Sequence, residues 1–163
     1  MTDQKPPDLP PIGMMADLPD DVRVRLAAEG EFVTRSRGAY LTLQGRPHHA
    51  MSFILSGKVA VSAHANEQTV NLAVLSRGDV VGEMSIVDPR LASASVRVVS
   101  DEPAELWVID GEAFNKVVEA DPAAGFVIMK ALGKVLCDRL RKDSERMLRR
   151  AAEMRDRYLD MDY

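Results

Sequence analysis

The sequence predicts a mainly β fold with flanking helices: a small antiparallel barrel or sandwich followed by a long C-terminal helix. Three observations point there. Residues 31–109 alternate apolar and polar side chains in short runs, punctuated by Gly38, Gly45, Gly57, Gly78 and Gly82, and many short strands joined by glycine turns favour a closed or double-layered antiparallel sheet. From Asp110 onward the apolar spacing changes to three and four, the helical period. The chain has 163 residues, 46% hydrophobic and 28% charged, which suits one domain with a core plus an appendage.

Each element follows in order. Residues 1–13 hold Pro6, Pro7, Pro10 and Pro11 and read as an extended or disordered arm. Residues 14–30 read as a short amphipathic helix carrying Leu18, Val22 and Leu26, with Asp17 as its cap and Gly30 as its stop. Strand-like runs follow at Phe32-Val33, Tyr40–Leu43, Met51–Leu55, Val59–Val61, Val70–Val74 and Leu106–Val108. Phe114, Val117 and Val118 make a helix over about 110–120. Asp121-Pro122 then opens another, with Asp as cap and Pro in the first turn. Met129, Leu132, Leu136, Leu140, Met147, Ala151, Met154, Tyr158 and Met161 continue the stripe, with a gap at Asp143. That gap, Gly133 and the length predict two helices or a bent one. The division is therefore an arm at 1–13, a β body with its N-terminal helix at 14–120, and a C-terminal helical segment at 121–163. A narrow apolar stripe on a charged helix needs a partner, and a symmetric homodimer seam is the favoured one; packing back on the barrel is the alternative.

Several classes are excluded. A net charge of −4 and a pI near 5.4 do not favour nucleic acid. The basic residues Arg139, Arg141, Lys142, Arg146, Arg149 and Arg150 are interleaved with Asp138, Asp143, Glu145, Glu153 and Asp156, as on a solvated helix face. The single cysteine, Cys137, forms no internal disulfide and reads as a small core or seam residue. No apolar run of about 18 residues predicts a membrane span. No basic start leading into an apolar segment predicts a signal peptide, and a cytoplasmic address is expected. His48, His49 and His64 fall in polar turn regions without metal-ligand spacing, so no metal or cofactor is expected. No catalytic constellation stands out, and the expected role is not an enzyme's.

The most informative segment is GDVVGEMSIVDPRLASASVRVV, residues 78–99. Gly82 permits a close backbone approach. Glu83 follows among apolar neighbours, where a carboxylate must find donors from the protein or a ligand hydroxyl. Small residues, Ala92 to Ser95, leave room beside it. These features suggest an anion site, and a plain turn and strand fit them equally well.

The segment resembles the phosphate-binding cassette of the cyclic nucleotide-binding domain family, shared by Crp/Fnr regulators, cyclic-nucleotide-dependent kinases and some channels. Gly82-Glu83-Met84-Ser85-Ile86 and Ser93-Ala94-Ser95-Val96 carry the two halves of the cassette pattern with no gap. Gly38–Leu41 with Gln44–Pro47, Phe53–Val59, and Leu75 with Arg77-Gly78-Asp79 are similar to the family's strand and turn signatures. The resemblance implies a β-roll of the cyclic nucleotide-binding, jelly-roll-like type, with cAMP or cGMP as ligand. Glu83 would accept the ribose hydroxyl. The N–H groups of Met84 and Ser85, with Ser93, would meet the cyclic phosphate. Leu72 and Ala73 would line the base and ribose pocket, and Arg139-Leu140 with Asp143-Ser144-Glu145 falls in a helical region similar to one that caps the base.

Two departures qualify this. The family's phosphate-binding arginine is replaced by Ala92; Arg90, two positions earlier and so on the same face of an extended strand, is a substitute cation or, as favoured, a solvated loop residue. The loss of a bidentate, charge-assisted pair weakens phosphate binding. Crp/Fnr transcription factors continue into a helix-turn-helix domain, whereas this sequence ends at Tyr163 and resembles the sensor half. Two roles follow: a stand-alone regulatory domain that signals through its C-terminal helix, or a degenerate domain that binds no nucleotide and acts as a dimeric protein-interaction module.

Overall fold

The computed structural model describes residues 8–159, with side chains through Arg155. The body is two four-stranded antiparallel sheets. The first has the order β1 (Glu31–Arg35), β8 (Ala104–Asp110), β3 (Ala50–Ser56), β6 (Val80–Val81); the second has β2 (Tyr40–Thr42), β7 (Ser95–Val98), β4 (Lys58–Ala65), β5 (Gln68–Ser76). The helices are α1 (Asp20–Glu29), α2 (Glu83–Val87), α3 (Gly111–Ala120) and α4 (Pro122–Leu159). This is the mainly β class with flanking helices that the sequence predicts.

The first sheet is covered on both faces. Met51 and Phe53 of β3 and Trp107 and Ile109 of β8 join a cluster with Leu26, Phe114, Ile128 and Leu132 from the helices. Ile54 of β3 and Ala104 and Leu106 of β8 instead pack with Val59, Val96 and Val98 of the second sheet. Double coverage explains why these two strands read as near-continuous apolar runs rather than clean alternation. The second sheet leaves its β5 edge largely exposed.

The N-terminal region departs from expectation twice. Residues 14–30 are not one helix: a 3-10 turn at Gly13–Asp17 is separated from α1 by Leu18-Pro19. A proline forces the residue before it out of helical geometry, and Leu18 is extended at φ −100°, ψ 137°. Asp17 therefore caps nothing; its carboxylate lies 2.9 Å from Lys134 Nζ on α4. Leu9 lies within the segment expected to be an arm, yet it is fully buried, and Arg23 Nε donates to its carbonyl at 3.1 Å. Residues 1–7 lie outside the described part.

Both predicted C-terminal helix starts hold. Asp110 Oδ1 accepts from Ala113 N at 2.8 Å. Asp121 Oδ1 accepts from Ala123 N and Ala124 N at 3.0 and 3.1 Å, with Pro122 at the first position of α4. Asp121 Oδ2 also lies 2.6 Å from Arg25 Nη1, and this hydrogen bond holds its carboxyl below the usual range. The two-helix alternative does not hold: one helix runs through Gly133 and Asp143. Gly133 meets open space, and Asp143 is paired to Arg146 within the helix. Ala124, Ile128, Ala131 and Leu132 are buried, whereas Leu140, Met147, Leu148 and Met154 are exposed. Cys137, read as a core or seam residue, is exposed. Tyr158 and Met161 of the predicted stripe fall outside the described side chains.

Candidate functional site

A cavity of about 270 Å³ opens between the second sheet, the segment 81–94 and α4. Its apolar walls include Val61 of β4, Leu75 of β5, Val81 of β6 and Val96 of β7, with Leu91 from the loop after α2. Its polar groups are Thr42, His48, Glu83, Ser85, Asp88, Arg90, Ser93 and Arg139.

Local geometry explains why Gly82 stands at its entrance to α2. Its φ is +82°, in the left-handed region that favours glycine. A Cβ there would sit 2.2 Å from the Ala50 carbonyl oxygen and 3.0 Å from His48 Nε2. Ser85 Oγ lies 2.7 Å from the carbonyl oxygen of Gly82, which locks the first turn. Glu83 follows and is only 3% exposed. A buried carboxylate needs a partner, and it finds one on α4, 56 residues away: Arg139 Nη1 donates to Glu83 Oε1 while Nη2 donates to the Val80 carbonyl.

The second half of the cassette is a loop pinned at its backbone. Ala92 N donates to Arg46 O at 2.9 Å and Gly45 N donates to Ala92 O at 2.8 Å. Arg90 lines the cavity with its Nε 2.7 Å from Asp88 Oδ2. Of the residues singled out in the sequence, Gly82, Glu83, Met84, Ser85, Arg90, Ala92 and Ser93 come together around this one space.

Three others do not. Leu72 and Ala73 lie on β5 and are not among the cavity's lining residues; Ala73 pairs with the wall residue Val61, and Leu72 has no opposite number on β4, where the ladder slips at Val61/Ser62. The Leu72 carbonyl instead accepts from Arg146 Nη1 at 2.6 Å. Ser144 is exposed on α4, and its hydroxyl donates back to the Leu140 carbonyl at 2.9 Å. A serine in mid-helix commonly bonds its own backbone in this way.

Sequence reasoning missed one contributor, His48, and did not pair another with its partner. Arg139 falls in the helical region that resembles a base cap, and its guanidinium donates to Glu83. His48 was assigned to a turn, yet its ring is half-buried in the cavity, with Nε2 3.3 Å from Thr42 Oγ1. Burial pushes the imidazole below its ordinary value, against a raising contribution from the Ala50 backbone.

Residues 32–121 match the cyclic nucleotide-binding domain family. The chain belongs to that family. Among solved structures, it is similar to a cyclic nucleotide-binding domain from Methylobacillus flagellatus (TM-score 0.76, 24% identity, covering 82% of this chain and 74% of that one). It is also similar to the Thermus thermophilus catabolite activator protein (TM-score 0.67, 28% identity, 79% and 58%). An uncharacterised NTE family protein of Mycobacterium bovis is 26% identical over 126 residues, covering 77% of this chain. The chain spans about a fifth (21%) of that relative's length. Among the described residues, no helix is long and apolar enough to cross a membrane, and no group of three or more His, Cys, Asp or Glu is placed to hold a metal ion.

Proposed function

We propose that this chain is a regulatory domain that takes cAMP, cGMP or a related phosphorylated small ligand into the cavity beside α2 and passes its occupancy to α4. The observation that carries the reading is the Arg139–Glu83 pair. The carboxylate that the family resemblance assigns to the ribose hydroxyl is already held by the C-terminal helix. A ligand that hydrogen-bonds Glu83 must therefore share it with Arg139 or displace it, and either event changes what fixes α4. Such coupling requires a ligand that prefers one helix position over another. The same helix presents Leu140, Met147, Leu148 and Met154 to solvent, an apolar stripe suited to a second copy of the chain or a partner protein. The reading gives the chain no catalytic role and places it in the cytoplasm.

Hydrogen–deuterium exchange with and without millimolar cAMP tests this. The expected result is altered protection in peptides covering both 82–96 and 134–150. Changes confined to the cavity peptides would separate binding from the helix and contradict the signalling part.

A second reading rests on Ala92. With no arginine at that position, the domain is a degenerate one that binds no nucleotide and acts as a dimeric interaction module. It predicts unchanged exchange in both regions at every ligand concentration.

A further inference from the structure

The ionisable groups lining the cavity are His48, Glu83, Asp88, Arg90 and Arg139. Each guanidinium already has a carboxylate: Arg139 faces Glu83, and Arg90 faces Asp88. Ala92, at the cassette position, adds no cation. The two pairs cancel, so His48 alone decides whether the cavity is neutral or positive. Its ring stands beside Gly82 and Thr42, at the mouth of the α2 turn. We propose that His48 is the cavity's anion-binding group, and that a phosphorylated ligand binds together with a proton taken up on its imidazole. This rests on the reading that such a ligand occupies the cavity.

The physical case is one of charge balance. A phosphodiester placed in a partly dry cavity with no net charge is paired with nothing. Protonating one ring nitrogen turns a neutral contact into a charge-assisted one. Free His48 is held low by burial, with His49 beside it also opposing protonation. Glu83 from α2, Asp88 and Arg90 from the following loop, and Arg139 from α4 face the same space as balanced pairs. An incoming anion beside the ring favours the charged imidazole and raises it from its free value. Affinity is therefore greatest below the free imidazole's value and falls as pH rises through the bound one. The cyclic phosphodiester itself stays ionised across this range, so the imidazole is the group that titrates.

The test is calorimetric titration with cAMP between pH 5.5 and 8, repeated in buffers of different ionisation enthalpy, with adenosine as the uncharged probe. The expected result is at least about a tenfold gain in cAMP affinity from pH 8 to 5.5, net proton uptake in that window, and no such change for adenosine. The substitution His48→Gln keeps a polar side chain and should abolish both proton uptake and pH dependence. Should it fail to fold, the His48 imidazole resonance in the unaltered protein serves instead, with an upward-shifted titration in cAMP expected. Saturable cAMP binding with flat affinity, or an unshifted His48 resonance, overturns this proposal and leaves the sensor reading standing. No binding of cAMP or cGMP at any pH removes both.

Discussion

Replacing Arg139 with glutamine would leave Glu83 buried without its cation. Glu83 is 3% exposed, and the side chain of Arg139 is 32% exposed. Removing one partner of a fully buried pair costs about 3–5 kcal/mol. Arg139 is one-third wet, so water already reaches the site and part of that penalty is relieved. The expected loss is about 1–3 kcal/mol, within the range for a charged group left unsatisfied. For a chain of this size that lowers Tm by about 2–12 °C. The assay is urea and thermal denaturation at one fixed protein concentration, since self-association would otherwise shift the midpoints. The substitutions Arg139→Gln and Glu83→Gln close a double-mutant cycle. Glu83→Gln alone should cost less, because the freed guanidinium keeps the Val80 carbonyl and partial solvent. The double variant should be no less stable than Arg139→Gln, with a coupling of about 1 kcal/mol or more. Additivity within about 0.5 kcal/mol would refute the reasoning, because the two groups would then stabilise the fold independently.

Other expectations follow from single contacts. Ala92→Arg should raise cAMP affinity about 30- to 1000-fold, the equivalent of about 2–4 kcal/mol from a restored bidentate phosphate pair, read by calorimetry. Gly30→Ala would put a Cβ 2.5 Å from the indole of the fully buried Trp107. Its cost should be about 1–3 kcal/mol or more, and a changed emission of the one tryptophan would report it directly. Asp110→Ala removes the acceptor for Ala113 N and should cost about 1 kcal/mol in urea melts, by fraying α3.

Much of the fold was legible because its punctuation is local. Glycine turns bounded the strands, the change of period at Asp110 marked α3, and the Asp121 cap with Pro122 announced α4. The cassette is legible as a contiguous string, and seven residues singled out in that stretch line one cavity. What escaped was non-local or was misweighted. The Arg139–Glu83 pair spans 56 positions, and the mixed-charge pattern of the helix does not by itself show that Arg139 reaches Glu83. Two adjacent histidines necessarily diverge, yet only the fold says which ring faces the cavity. The ladder slip that leaves Leu72 without a partner on β4 is not revealed by any periodicity. The split at Leu18-Pro19 was readable, since proline restricts the residue before it, but the apolar period of Leu18, Val22 and Leu26 outweighed it. Asp143 interrupts the apolar stripe of α4 without interrupting its backbone, because an exposed helix face tolerates a paired aspartate.

The most direct test of the central claim is calorimetric titration of the purified protein with cAMP and, separately, cGMP. The account predicts saturable binding in the micromolar range or tighter for at least one of them, at one ligand per chain. No heat and no thermal shift at millimolar ligand, from pH 5.5 to 8, would contradict it and leave the interaction module in its place.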